Sequence, residues 1–113
     1  MKRGEIWTIT LDPTIGAEIK KTRPTIIVSD DTLGNLPLKV IVPLTDWKEK
    51  YSVAEWMVKI KKQLSNGLTK DSSADCFQVR SVSKIRFIKK IGEISPIEMR
   101  EIEVALAKVL KIY

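Results

Sequence analysis

Short apolar runs separated by turn residues occupy the chain up to residue 94, and a helical pattern appears only after them. The runs have the length and composition of β-strands: residues 5–11, 25–29, 40–45, 54–61, 74–82 and 87–94. Turn signals such as Asp12-Pro13 and Asn66-Gly67 lie between them. The pattern therefore predicts a mainly β domain, a small twisted sheet or half-open barrel with one helix packed on it.

Residues 95–98 mark the start of the predicted helix. Ser95 supplies an N-cap, Pro96 stands at the first helical position, and Glu98 completes a capping box. The apolar positions that follow have helical spacing: Met99, Ile102, Ala105, Leu106, Val109 and Leu110. We expect this stripe to pack in the core or against a second copy of the chain.

Three details of the predicted strands concern single residues. Trp7 and Trp56 fall on the inward phase of alternating runs, so both are expected in the core. Pro43 has no N–H to donate, which predicts an edge position or a bulge beside the hydroxyl of Thr45. Gly92 predicts a second bulge in the last strand.

The length and the cysteine count limit the organisation of the protein. A chain of 113 residues forms one domain, 1–113, with one core. No apolar run is long enough to span a bilayer, and the N-terminus enters a strand pattern without a signal-peptide segment. The single Cys76 excludes an internal disulfide and favours a reducing compartment, so we expect the cytoplasm.

The charge and the absence of histidine restrict the chemistry. The net charge of +6 favours an anionic partner, a nucleic acid or an acidic protein. Without any histidine, the Ser-His and Cys-His nucleophiles, histidine-based zinc sites and two-histidine ribonuclease mechanisms are all excluded, and Cys76 is interpreted as a packed residue. An enzyme with this sequence must take its acid and base from Glu, Asp, Lys, Arg, Tyr or water.

The loop at residues 16–24 carries a carboxylate, two lysines and an arginine directly before an apolar strand. Gly16 permits a turn with positive φ, and Pro24 restricts Arg23 to an extended conformation. A fixed guanidinium near the carboxylate of Glu18 suits the binding of phosphate. The alternative is a surface salt bridge at the end of a strand.

Segments spread in order over the whole chain carry a family resemblance. They are Arg3–Trp7, Leu11–Glu18, Lys21–Pro24 before an Ile/Val strand, Val42–Thr45, Gln78–Val82, and Ile91–Ser95 before the helix. On these segments the chain resembles the MazF/PemK-like toxins, which are ribosome-independent mRNA interferases of toxin–antitoxin systems. The resemblance implies an SH3-like, CcdB-like barrel that forms a homodimer. It also implies cleavage of single-stranded RNA without metal or cofactor, and neutralisation by an antitoxin with an acidic, flexible tail.

The resemblance also implies roles for individual residues. Arg23 and Thr45 match the catalytic arginine and threonine of the family, and Glu18 matches a glutamate of the same loop. Phe77 stands where several relatives carry an acid before the glutamine, so the general base is either Glu18 or, on a bulged strand, Asp75. The residues expected to contact RNA are Lys20, Lys21, Thr22, Trp47, Gln78 and Arg80.

Two other functions are compatible with this pattern. A related barrel acts as a toxin that binds a topoisomerase, in which case the terminal helix or an apolar patch would carry the activity. A non-cleaving RNA-binding module is the second alternative. Neither needs Arg23, Glu18 and Thr45 together, so these residues favour a nuclease that uses the 2′-OH of RNA and leaves a cyclic or 3′-phosphate and a 5′-OH.

Overall fold

A computed structural model describes residues 1–112, and within them seven antiparallel strands form one sheet that does not close. The strands are β1 (Glu5–Thr10), β2 (Thr22–Ile27), β3 (Leu38–Asp46), β4 (Met57–Ile60), β5 (Ser72–Asp75), β6 (Arg80–Ser83) and β7 (Phe87–Glu93). Their order is β4-β5-β3-β2-β1-β7, and β6 pairs with β3 beside β5. The helix α1 (Pro96–Leu110) follows β7. The predicted mainly β, half-open architecture with a C-terminal helix is confirmed.

The side chains of the sheet form two apolar clusters, one on each face. The larger lies under α1, whose buried Ile102 and Ala105 join Ile26, Val42 and Leu44. The smaller contains these side chains: Ile9, Leu11, Ile27, Ile41 and Val82, with Trp7 and Phe87 packed against it. The prediction that Trp7 packs in the core is therefore confirmed.

The predicted start of α1 is also confirmed. Ser95 Oγ accepts a hydrogen bond from the Glu98 N–H at 3.1 Å, and Glu98 Oε1 accepts one from the Ser95 N–H at 2.8 Å. Of the apolar stripe, Ile102 and Ala105 are buried in the core, whereas Leu110 in the last turn is half exposed. Within residues 1–112, no helix is both long and apolar enough to cross a membrane.

The run 74–82 is not one strand as predicted. A 3-10 turn at Cys76–Gln78 separates β5 from β6, and Asp75 caps this turn by accepting a hydrogen bond from the Phe77 N–H at 3.1 Å. Apolar residues on both faces of this run concealed the break. Cys76 is fully buried, and burial raises the pKa of its thiol to about 12, as expected of a packed residue rather than a nucleophile.

Two further predictions at the strands need correction. Pro43 does not lie on an edge strand, since β3 has neighbours on both sides. On one side, β3 pairs with β6 up to Ile41 and with β5 from Leu44 onward. Pro43 lies between these two pairings, so no neighbouring strand on that side requires the N–H that proline lacks. Trp56 is 41% exposed instead of buried, because β4 begins only at Met57.

The bulge predicted at Gly92 is present in β7. Ile6 of β1 pairs with Gly92 and Trp7 pairs with Lys90, which leaves Ile91 as the extra residue. Gly92 packs against the 3-10 turn Leu64–Asn66, where a Cβ atom on Gly92 would lie 2.3 Å from the carbonyl carbon of Asn66.

Candidate functional site

A cavity of about 310 Å³ opens where β2 and β3 separate. The two strands pair as far as Thr25 and Pro43, and beyond that point β3 turns to β5, where Thr45 pairs with Ser73. If the antiparallel register is continued two residues beyond the Thr25–Pro43 pair, Arg23 lies opposite Thr45 across the gap. Both side chains line the cavity. We call this space the arginine cavity.

The guanidinium of Arg23 is incompletely satisfied in this cavity. Its Nε is buried and forms no hydrogen bond with any residue between 1 and 112. A buried polar donor without a partner costs about 1–3 kcal/mol of stability, so such groups are rare in native proteins. An anion in the arginine cavity would be a charge partner for this guanidinium, which lines it.

Other polar side chains line the same cavity. Thr69 and Ser72 add hydroxyl groups to that of Thr45, and Lys70 adds a second cation. The ammonium of Lys70 lies 3.8 Å from a carboxylate oxygen of Asp46, but both side chains are largely exposed, so this ion pair is weak. Asp46 also lines the cavity, so its walls carry two cations, one carboxylate and three hydroxyls, and the positive excess suits an oxyanion such as a phosphate.

A close backbone contact shapes one wall of the arginine cavity. Gly67 has a φ of +69°, and a Cβ atom there would lie 2.0 Å from the carbonyl oxygen of Ile91 in β7. Only glycine allows the turn at 64–67 to approach β7 this closely. The Asn66-Gly67 turn predicted from the sequence thus also forms part of the site.

A second, wider depression of about 580 Å³ lies on the other side of Pro43, and we call it the aromatic groove. Its lining includes Glu18, Ile19, Pro43, Trp56, Asp75, Phe77, Gln78 and Arg80. Pro43 lines the aromatic groove, while Thr45, two residues along the same strand, lines the arginine cavity. Residues two apart on a strand point to the same face about 7 Å from each other, so the two spaces are neighbours.

The predicted site residues divide between these two spaces. Arg23 and Thr45 share the arginine cavity, whereas Glu18 lies in the aromatic groove with Gln78 and Arg80. Glu18 is exposed in its loop, where its Oε1 accepts a hydrogen bond from the Ile15 N–H at 2.6 Å. The structure therefore does not bring Glu18 into the cavity that holds Arg23.

Asp75 and Gln78 form a hydrogen-bonded tether for the loop that contains Glu18. Gln78 Nε2 donates to Asp75 Oδ2 at 3.1 Å, and Gln78 Oε1 accepts from the Ile19 N–H at 2.7 Å. Burial raises the pKa of Asp75, although hydrogen bonds from the Phe77 N–H and from Gln78 act in the opposite direction. Gln78, expected to contact RNA, thus already uses its amide to fix the loop.

The remaining residues expected to contact RNA differ in position. Lys20 and Lys21 are exposed on the loop before β2, and Thr22 is the exposed first residue of that strand. Lys21 takes a φ of +70°, and its N–H donates to Asp12 Oδ1 at 3.0 Å. Trp47 lies outside both spaces, with the ammonium of Lys59 4.9 Å from its ring.

Several side chains at these two spaces were not predicted from the sequence. Lys70 and Ser72 reach the arginine cavity because β5 pairs with the end of β3, a pairing that local sequence signals do not reveal. Phe77 and Trp56 reach the aromatic groove through the unpredicted turn at 76–78 and the late start of β4. Among residues 1–112, no cluster of three acidic or cysteine side chains is arranged to hold a metal ion.

Comparison with known proteins points to one family. The sequence profile of the PemK-like, MazF-like toxins of type II toxin–antitoxin systems matches residues 2–110. The endoribonuclease MazF9 of Mycobacterium tuberculosis is 32% identical over 112 residues, which cover 94% of this chain and 92% of that protein. The endoribonuclease PemK of Escherichia coli is 31% identical, with 97% of this chain and 82% of that protein covered.

Solved structures have the same fold. MazF from Deinococcus radiodurans superposes with a TM-score of 0.82 at 18% identity, covering 99% of this chain and 97% of that one. A mycobacterial endoribonuclease in complex with its cognate antitoxin superposes with a TM-score of 0.80 at 21% identity, covering 100% and 97%.

Proposed function

The chain belongs to the PemK/MazF-like toxins of type II toxin–antitoxin systems, and we propose that it is an endoribonuclease that cuts single-stranded RNA at short recognition sequences without a metal ion. The observation that carries this proposal is the cavity that Arg23 and Thr45 both line, where the guanidinium has no carboxylate partner among residues 1–112. A scissile phosphodiester bound in this cavity would accept the hydrogen bonds that both side chains can donate.

RNA itself supplies the nucleophile for this reaction. The 2′-OH attacks the adjacent phosphorus, the bond from phosphorus to the 5′ oxygen breaks, and a 2′,3′-cyclic phosphate forms. The proton of the 2′-OH passes to a general base, and the leaving 5′ oxygen takes up a proton to become a 5′-OH. Hydrolysis of the cyclic product then gives a 3′-phosphate. The protein has only to align the groups, move these protons and stabilise the phosphoryl oxygens.

Arg23 and Thr45 stabilise the phosphoryl oxygens in this proposal. The guanidinium donates to the non-bridging oxygens as their negative charge grows, and the Thr45 hydroxyl donates to the same phosphate. Loss of one such donor from a preorganised site typically costs about 3–4 kcal/mol of transition-state stabilisation. Lys70, across the cavity, adds positive charge that favours binding of the phosphate.

Glu18 is the proposed general base, and Asp75 positions the loop that carries it. Both oxygens of Asp75 already accept hydrogen bonds, one from the Phe77 N–H and one from Gln78. Glu18 is exposed on the loop that this network holds, so its carboxylate is accessible to a bound RNA. Glu18→Gln should then reduce the rate of the chemical step, and Asp75→Asn, which disturbs the loop that carries Glu18, should reduce the same rate by a smaller factor.

The biological setting is proposed from the family. Solved relatives include MazE–MazF complexes from Deinococcus radiodurans and an endoribonuclease with its cognate antitoxin. We expect a cognate antitoxin whose acidic, flexible tail occupies the basic surface around Lys20 and Lys21, a homodimeric toxin, and a cytoplasmic location. The net charge of +6 complements an acidic tail as well as RNA.

Incubation of the purified protein with end-labelled single-stranded RNA in the presence of EDTA tests the proposal. We expect fragments with cyclic or 3′-phosphate and 5′-OH ends, and a loss of at least about 100-fold in Arg23→Ala. Arg100→Ala, which alters an exposed arginine of α1, is the matched control and should cut normally. Dependence on added metal, intact RNA that is merely retarded, or full activity of Arg23→Ala would each overturn the proposal.

A further inference from the structure

Two aromatic side chains are exposed together in the aromatic groove. Phe77 is 66% exposed and Trp56 is 41% exposed, and their rings meet edge to face with centroids 6.0 Å apart. Both line the groove beside Asp75, Gln78 and Arg80. The groove thus combines an exposed aromatic pair and other apolar side chains with a few polar groups, as is typical of a ligand-binding site.

The backbone holds this pair in a fixed orientation. Phe77 occupies the centre of the 3-10 turn Cys76–Gln78, and its N–H donates to the buried Asp75. The Cys76 N–H donates to the carbonyl oxygen of Trp56 at 2.9 Å, which ties the two segments together. The backbone of both segments is thus ordered before a ligand binds, which favours binding.

The cationic side chain of this groove is Arg80. It lines the same groove and forms no ion pair with any residue between 1 and 112. A guanidinium donates in a fork that matches the O6 and N7 acceptors of guanine, and aromatic rings bind the faces of unpaired bases. Asp75 lies beside Ser73, the partner of Thr45, so this chemistry is next to the arginine cavity.

We propose that Phe77 and Trp56 form a stacking site for an unpaired guanine on the nucleotide that flanks the cleaved bond, and that Arg80 selects this base through its Hoogsteen edge. The inference rests on the proposed endoribonuclease function and adds a determinant of sequence choice to it.

Cleavage of a randomised single-stranded RNA pool, with fragment ends mapped by sequencing, tests this site. The wild type should require guanine at one fixed position beside the cut. Phe77→Ala should lower kcat/KM at such sites by about 5- to 150-fold, the range that corresponds to loss of one stacked base, while Phe77→Tyr should retain activity. Arg80→Gln should change the preferred base at that position from guanine to adenine, because an amide pairs with adenine N6 and N7.

Ile85→Ala is the matched control, since Ile85 is an apolar side chain that is 92% exposed and lies outside the aromatic groove. If the wild type cuts RNA but Phe77→Ala keeps the same rate and base profile, the stacking site is wrong and the endoribonuclease proposal stands. A Phe77→Ala variant that loses only antitoxin affinity would also overturn the site. Absence of cleavage by the wild type would instead overturn the proposed function itself.

Discussion

At the scale of single residues, Arg23 is the clearest example of a side chain whose position lowers the stability of the fold. Pro24 fixes it in an extended strand, β3 diverges opposite it, and its Nε remains buried without a partner. Arg86 differs, since its Nη1 donates to the carbonyl oxygens of Thr10 at 3.0 Å and Asp12 at 2.8 Å. Arg86 therefore stabilises the fold, whereas we expect Arg23 to serve binding.

Arg23→Met should abolish RNA cleavage without lowering the free energy of unfolding. The substitution keeps the apolar stem and removes the unsatisfied donor, so stability should stay within about 1 kcal/mol of the wild type or rise. Arg86→Met, as the matched control, should lose about 1–2 kcal/mol because it frees two carbonyl oxygens. Urea denaturation measures both. A loss of more than about 2 kcal/mol in Arg23→Met would show that its guanidinium supports the fold.

Glu5 is a second residue whose environment sets a measurable property. Burial alone would raise the pKa of its carboxyl group, but hydrogen bonds from Trp7 Nε1 at 2.9 Å and the Lys2 N–H at 3.0 Å, with the Lys90 ammonium at 3.2 Å, outweigh it. Together they lower the pKa from 4.5 to about 2. The ionised form is therefore the one that stabilises the folded protein.

Glu5→Gln should flatten the dependence of stability on pH. The contribution of ionised Glu5 is complete above pH 4.5, where the carboxyl group is charged in both states, and disappears as the pH falls toward 2. This lowered pKa corresponds to about 3 kcal/mol, which the wild type should lose over this interval and the variant should not. Urea denaturation between pH 7 and 2.5 measures the difference, and parallel curves would contradict the assignment.

At the scale of elements, the arginine cavity exists because β3 changes partners. It pairs with β2 and β6 in its first half and with β5 in its second, and Pro43 lies at the change. The turn at 64–67 then closes the gap by packing Gly67 against β7. The cavity is thus a consequence of strand pairing, and its walls depend on close contacts of the backbone.

Gly67→Ala should be strongly destabilising and should also reduce cleavage. A Cβ atom there meets the Ile91 carbonyl oxygen at 2.0 Å, in addition to the strain of a φ of +69°. Gly16→Ala is a matched control, since its φ is +62° but nothing lies within 4 Å of the new methyl group. The control should lose only about 1–2 kcal/mol, and Gly67→Ala clearly more, in urea denaturation. Equal losses would mean that the wall of the cavity yields freely.

Local sequence signals predicted the elements but not how they meet. The capping box at Ser95, the positive φ at Gly16 and the extended Arg23 each depend on neighbouring residues, and each is present. The switch of β3 from β6 to β5 depends on pairings between distant residues, so Lys70 could not be assigned to the cavity. The turn at 76–78 depends on a single capping side chain, that of Asp75, within a run that otherwise has the pattern of a strand. The exposure of Phe77 is a consequence of this turn.

At the scale of the whole molecule, the excess of positive charge should govern how the protein meets RNA. The net charge is +6, and the loop before β2 exposes two lysines beside the entrance to β2. Binding of a single strand releases about 0.7 counterions for each phosphate neutralised, so affinity should fall steeply with salt. An RNA with a 2′-deoxynucleotide at the cleaved position lacks the nucleophile and allows this binding to be measured without cleavage.

The double variant Lys20→Ala/Lys21→Ala should bind this uncleavable RNA more weakly, with the slope of log affinity against log salt reduced by about 1 to 1.5. Base preference should not change, because these side chains contact phosphates rather than base edges. Lys89→Ala removes an exposed lysine from β7, outside the arginine cavity and the aromatic groove, and should leave the slope nearly unchanged. If both variants lower the slope equally, RNA is attracted by the overall charge of the molecule and not guided by this loop.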